Sequence, residues 1–380
     1  MGSRKYFLDW LRVFAFAGLI VFHVGCLYAS WGYNIKSPRL IPSVDWVLLA
    51  LSPWRMALLF VISGVASRHL AAKLGVGGFA LDRLRRLLPV ILIGSLVVIP
   101  PQTYVMLLSK GLVHAGYFHF WMFSYLAADQ TLVAPLHLTM PTYDHLWFMV
   151  YLLIYTLLFA ALAGAAALLR RAPWPHLPLW ALLIIPAGWL IGANFVIERR
   201  FPVSFDVIHD WGSHLKWAGM FIAGVSYAAR NDVWEWVRRY RRALLICAAC
   251  FLILQFLCRA VWLTRQMDLA ASALWWSAAT SLYAWAMIGA LCGYALQHLN
   301  KESPLLSHLN EAILPIYVLH QPILLIAAFH IFPLRLFLPL EVLLLIGITG
   351  LGTIGIYELL IRPFPIMRVL FGLKRRALRR

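Results

Sequence analysis

Charge is scarce in this sequence. Of its 380 residues, 13% are Asp, Glu, Lys or Arg, where soluble domains carry about 25%. No low-complexity tract, internal repeat or stretch with the composition of a soluble domain interrupts the sequence, so neither a soluble domain nor a repeat array is expected within it. Cysteine is also sparse. Cys26, Cys247, Cys250, Cys258 and Cys292 all fall inside apolar runs, so no disulfide framework is expected. Cys247 and Cys250 form a CxxC, but on an apolar helix that spacing stacks two small residues on one face. No small-residue cleavage site follows the first apolar run, which therefore reads as a retained span rather than a removable leader.

What is present is hydrophobic residue, 62% of the total. Apolar runs of about 20 residues recur along the whole length, as membrane-crossing helices require. Ten spans are predicted at roughly 8–30, 46–68, 88–108, 145–169, 178–196, 212–229, 243–264, 272–296, 311–331 and 334–361. The expected fold class is all-α, a polytopic integral membrane helix bundle of about ten transmembrane helices. Residues 1–380 read as a single membrane domain, with no fused secreted domain after the last span.

The formal net charge of +18 invites a nucleic-acid partner, but its distribution argues against one. Roughly two thirds of the Lys and Arg residues fall on alternate connections, the pattern of the positive-inside rule. They include Lys5, Arg68, Arg83, Arg85, Arg86, Arg170, Arg171, Arg238, Arg239 and the tail from Lys374. Both termini are therefore expected in the cytoplasm. The one long connection, 109–144, is expected outside; its "YFHFWMFSYL" is too short to span and reads as an interfacial or re-entrant piece. The numerous Trp and Tyr suit interfacial belts, and "WEWVRRYRR" suits an anchor on anionic lipid.

Against this apolar background the ionisable residues need a reason, because charge in hydrocarbon is costly and faces a partner or a water-filled cavity. The segment "LDWLRVFAFAGLIVFH" carries Asp9, Arg12 and His23. Arg12 and His23 are about 20° apart around a helix and separated by roughly 16 Å along it, so they share a face. Asp9, one turn before Arg12, is placed to pair with it. The plainer alternative is a snorkelling arginine and a packing histidine. Arg83 and Arg86 also share a helical face, where two guanidinium groups can hold phosphates; the alternative is topology alone. Asp144, His145 and Trp147 stand at the start of a span, where an interfacial cap would also explain them. Tyr317 and His320 lie three residues apart near the centre of another span, close enough for one to orient the other. Ser63-Gly64 suggests a close helix contact. A histidine-lined polar cavity with a basic mouth fits three chemistries: acyl transfer across the membrane, phosphoryl transfer, or a proton-coupled carrier of an anionic metabolite.

Several of these stretches resemble the membrane acyltransferase-3 family. Arg12 and His23 occupy the positions of its Arg-x10-His opening. "LLFVISGVASR", the Arg83/Arg86 pair before "LLP", "DHLWFMVYLLIY" and "PIYVLHQPI" follow in the family's order. "DWLR", "WGYNIKSP" and "YELLIRPFPIMRVLFGLK" lean towards its glucan succinyltransferase branch. The resemblance implies an O-acyltransferase of the bacterial cytoplasmic (inner) membrane. Such an enzyme moves an acetyl or succinyl group from cytoplasmic acyl-CoA to a hydroxyl of an extracytoplasmic glycan. It implies His23, His320 and Asp9 as catalytic residues, with His23 the base or a transient acyl carrier. It implies Arg12, Arg83 and Arg86 for the donor, and His145, Trp147 and Tyr317 for the acceptor. Acyl-CoA, the glycan and membrane lipids are the expected partners, and no metal is expected.

Overall fold

The structure is a computed structural model that describes residues 5–136, 139–168, 177–201, 203–263 and 269–374. Among the described residues every element is helical and none is a strand. Among the same described residues, eight helical stretches are long and apolar enough to cross a membrane: Tyr6–Tyr28, Ser43–Ser109, Asp144–Leu168, Leu179–Ile197, Arg241–Val261, Ser272–His298, Pro304–Leu334 and Leu338–Ile361. The fold is thus an all-α polytopic bundle. The ten expected spans map onto it with two adjustments. The 67-residue stretch Ser43–Ser109 takes both 46–68 and 88–108. The expected span 212–229 falls on Trp211–Tyr227, which has 17 residues. Of the basic residues read for topology, Arg170, Arg171 and the tail beyond Lys374 lie outside the described residues.

The elements used below are α1 (Tyr6–Tyr28), α2 (Ser43–Ile93), α3 (Pro100–Ser109), α4 (Tyr117–His119), α5 (Trp147–Leu168), α6 (Leu179–Arg200), α7 (Trp211–Tyr227), α8 (Asn231–Arg239), α9 (Arg241–Leu263), α10 (Leu269–His298), α11 (Pro304–Ile331), α12 (Leu338–Ile356) and α13 (Pro365–Leu370). Helix α2 is interrupted at Gly75, whose φ of 72° and ψ of 167° are open to glycine and strained for any residue with a Cβ. The helix then loosens into a π-helical turn at Gly94–Val98 and re-forms behind Pro100, where a proline is favoured because the first-turn N–H has no helical partner.

The residues form two compact units. The first comprises residues up to Ala15, Leu49–Asp82 and Tyr151–Leu306. Within it α9 lies along α10, and α6 packs on α7 and α10. A membrane bundle has no solvent-driven burial to hold helices together, so close backbone approach and interhelical hydrogen bonds carry more of the packing. Both are visible. A Cβ on Gly64 would strike the Phe221 carbonyl, and one on Gly224 would strike that of Val61. Asn194 donates to Ser281 Oγ over 2.8 Å, and the Trp285 indole donates to the Leu183 carbonyl over 2.9 Å.

The second unit comprises Phe16–Leu48, Arg83–Val150 and residues from Ser307 onward. Its core gathers Leu27, Tyr28, Leu107, Phe120, Tyr125, Leu324 and Leu345, among others. The Glu341 carboxylate, almost wholly buried, accepts from Tyr28 Oη at 2.8 Å and Arg39 Nη2 at 2.6 Å. Such burial is tolerable because the charge is paired and hydrogen-bonded. Arg368, also buried, holds Glu311 through both terminal nitrogens at 3.0 and 3.2 Å. The five cysteines are free thiols.

Candidate active site

Four of the sequence-predicted residues meet in the second unit: His23 from α1, His145 from the turn ahead of α5, and Tyr317 and His320 from α11. His145, Tyr317 and His320 are each at most 5% exposed. Their arrangement follows from two prolines in α11, Pro315 and Pro322. A proline lacks the N–H that would bond the carbonyl four residues earlier, so Pro322 leaves the Val318 carbonyl without its helical donor. His145 Nε2 lies 3.0 Å from that oxygen. In return, Tyr317 Oη donates to the backbone carbonyl of His145. The two bonds lock the turn to α11.

The bonding partners also assign the protons. His320 Nδ1 stands 2.6 Å from the Tyr317 carbonyl, which can only accept, so Nδ1 carries the hydrogen and Nε2 a lone pair. His320 Nε2 is 3.1 Å from His23 Nδ1. His23 Nδ1 is therefore the donor of that bond, and the lone pair of neutral His23 is on Nε2. A carbonyl in the middle of α11 thus fixes the tautomer of His320, and His320 fixes that of His23. The same logic places a hydrogen on His145 Nε2 and a lone pair on its Nδ1.

A carboxylate organises the surroundings. Asp144 accepts from Asn34 Nδ2 at 2.9 Å, Gln102 Nε2 at 2.7 Å and Gln321 Nε2 at 3.2 Å. Its own N–H donates to Thr142 Oγ1 at 3.0 Å. Its φ of 32° is uncommon for a residue with a Cβ and persists where neighbours over-determine it. Three buried polar atoms nearby make no hydrogen bond among the described residues: Tyr33 Oη, Gln102 Oε1 and His145 Nδ1. The Tyr33 ring is 5.8 Å from that of His23, and the His145 ring 5.4 Å from that of His320. Burial, with Cys26 and Asp144 adding to it, raises the Tyr33 phenol well above its usual range, so it is a neutral O–H. Together these atoms offer one donor and two acceptors, which suits a hydroxyl or carbonyl oxygen of a bound molecule.

The other predicted residues are placed as follows. Asp9 and Arg12 lie in the first unit and pair with each other at 3.4 Å. Arg83 and Arg86 are half-buried on α2 while Arg85 is exposed, as a shared face for the first two requires. Arg86 Nε donates to the Gly372 carbonyl at 3.3 Å. Trp147 is half-buried at the start of α5. Asp144, for which the sequence left an interfacial cap as one explanation, is the hub of the amide cluster; Asn34, Gln102, Gln321 and Tyr33 are not among the sequence-predicted residues. The signal for the two glutamines was present: each is an uncharged polar residue inside an apolar run, next to Pro101 or His320. Among the described residues no group of three His, Cys, Asp or Glu side chains is arranged to hold a metal ion.

A multi-pass helical membrane protein with a paired-histidine centre defines a class, and comparison with known families assigns it: residues 5–358 match the acyltransferase-3 family, described as "Acyltransferase domain". The match draws on both units and covers nearly the whole chain, so this protein belongs to the acyltransferase-3 family and is a membrane acyltransferase. No curated protein and no solved structure matches the chain.

Proposed function

We propose that the chain is an O-acyltransferase of a bacterial cytoplasmic membrane, taking an acetyl or succinyl group from cytoplasmic acyl-CoA to a hydroxyl of an extracytoplasmic glycan. The observation that carries the reading is the ordered pair His23–His320, whose proton arrangement puts the lone pair of the half-buried His23 on Nε2. In the proposed step His23 Nε2 takes the proton of the acceptor hydroxyl, and that oxygen attacks the thioester carbonyl carbon. A C–O bond forms and the C–S bond breaks. The departing thiolate takes the proton back from His23, giving an ester and free CoA thiol. The imidazolium formed in between keeps its Nδ1–H on His320, so the charge develops beside a fixed acceptor.

Tyr33 Oη, Gln102 Oε1 and His145 Nδ1 are proposed to orient the acceptor and the thioester oxygen, with Tyr317 holding the His145 turn and Trp147 offering an aromatic face to a sugar. Arg12, Arg83 and Arg86 are assigned to the donor's phosphates from the family motif, and Asp9 to holding Arg12. Residues 1–380 are taken as one acyltransferase domain with both termini in the cytoplasm. Envelope carbohydrate from cells with and without the chain, compared by mass spectrometry, tests the reading. An ester mass present only with the chain names the acyl group and the glycan; identical spectra contradict the proposal.

A further inference from the structure

The connection between α3 and α5 does not stay outside the helices. After Gly111 (φ 68°) the chain turns back, and Tyr117–Tyr125 runs antiparallel to α3. Three side-chain bonds set its course. Tyr104 Oη donates to the Ala115 carbonyl at 3.0 Å, the Trp121 indole to that of Leu96 at 2.9 Å, and Tyr125 Oη to that of Ser95 at 2.8 Å. Fourteen residues separate Ser95 from Ser109, the end of α3. At 1.5 Å per residue that is roughly 21 Å, past the middle of a hydrocarbon core about 30 Å thick.

Exposure along this segment has helical periodicity. Phe120 and Tyr125 are fully buried, whereas Phe118 is 74%, Met122 51% and Phe123 68% exposed, with Leu126 at 37%. These four exposed apolar residues share one face, at i, i+4, i+5 and i+8; His119 is also exposed, its ring 5.1 Å from that of Phe123. They continue the apolar surface of the adjoining span, where Leu92, Leu96 and Val97 are also exposed. Beyond Leu126 side chains satisfy several backbone groups internally, as membrane depth demands. Gln130 bonds the Ala128 carbonyl and both the N–H and the carbonyl of Met140, and Asp129 accepts from Thr131 N and Oγ1.

We propose that Gly116–Leu126 is a re-entrant segment whose Phe118–Met122–Phe123–Leu126 face is covered by lipid acyl chains. An aqueous face would expose this apolar surface at a depth where the flanking span meets hydrocarbon. The segment would also explain how the chain delivers Asp144 and His145 to the buried centre rather than to the membrane surface. The inference is independent of the acyl-transfer reading.

The test is photo-crosslinking from a benzophenone amino acid in the full-length protein, reconstituted into phosphatidylethanolamine–phosphatidylglycerol vesicles. It is placed singly at Phe118, Phe123, Leu343 and Lys110. Leu343, 66% exposed on α12, is the lipid-facing reference and Lys110 the aqueous one. Lipid adducts at Phe118 and Phe123 should match the yield at Leu343 and exceed that at Lys110 several-fold. Yields at both positions no higher than at Lys110, with Leu343 still giving adduct, overturn the proposal. Because both substitutions are on exposed aromatic positions, the fold is retained; size-exclusion elution verifies this before irradiation.

Discussion

His23 and His320 meet nitrogen to nitrogen, Nδ1 to Nε2 at 3.1 Å, although 297 residues separate them in the chain. One ring donates and the other accepts, and the acceptor is itself pinned by a backbone carbonyl.

In the proposed mechanism that relationship makes His320 a positioning residue for His23. Replacing it with Ala removes the acceptor for His23 Nδ1–H and frees the tautomer. Acyl transfer should fall by about 10²-fold, the lower range of what positioned acid–base catalysis contributes. The loss should lie in kcat rather than KM, because the substrate contacts remain. His320→Gln, whose side-chain carbonyl is able to accept the same hydrogen, should retain more activity than His320→Ala. Equal rates for the wild type and His320→Ala would remove the pair from the mechanism.

Asp144 should behave differently. Truncation to Ala strands three amide donors, on Asn34, Gln102 and Gln321, and each buried unsatisfied group costs about 1–3 kcal/mol. Asp144→Ala should therefore lower the unfolding temperature in detergent markedly as well as abolish activity. Asp144→Asn, which keeps one acceptor oxygen, should lose less. An Ala variant as thermostable as wild type would show that the cluster is not holding the turn.

The glycine contacts of the first unit predict a purely structural effect. Gly64→Val places methyl groups against the Phe221 backbone, and Gly224→Val does the same at Val61. Overpacking costs about 1–3 kcal/mol where side chains can give way, and backbone gives way less. Both variants should show reduced yield and thermostability, whereas Gly188→Val, with open space around it, should not.

Lys5 supplies a pH dependence outside the spans. Burial lowers its pKa from 10.5 to about 8, although it donates to the Ala228 carbonyl at 3.2 Å and lies over the Trp234 ring. Between those two values the unfolded chain binds the proton and the folded one does not, so stability rises with pH across that window. Below about pH 8 the full cost of burying the ammonium remains. Lys5→Met should flatten the profile between pH 8 and 10.5 in thermal unfolding; an unchanged slope would assign the dependence elsewhere.

The sequence was most informative where one residue contradicts its neighbours. His23 and His320 stand out in apolar runs because ionisable groups there need a partner, and they prove to be each other's. Ser63-Gly64 pointed to a close helix contact, which Gly64 makes with α7. The Arg83/Arg86 face follows from helical spacing alone. Other features depend on the path of the chain, which spacing does not encode. Asn34, Gln102, Asp144 and Gln321 come from four separate segments that only the tertiary fold brings together. The Val318 carbonyl is released by Pro322, a local effect legible in principle, but its acceptance from His145 depends on tertiary packing. The match to the family in turn adds the reaction class, which no count of histidines supplies.

The central claim is that His23 is the base of acyl transfer. The most direct measurement is ester content of envelope glycan, by mass spectrometry, in cells with the wild-type chain or with His23→Gln at matched membrane levels. The account predicts that the chain-dependent ester falls by about 10²-fold or more in the variant, with thermostability in detergent unchanged. An ester that persists at wild-type level in His23→Gln would contradict it.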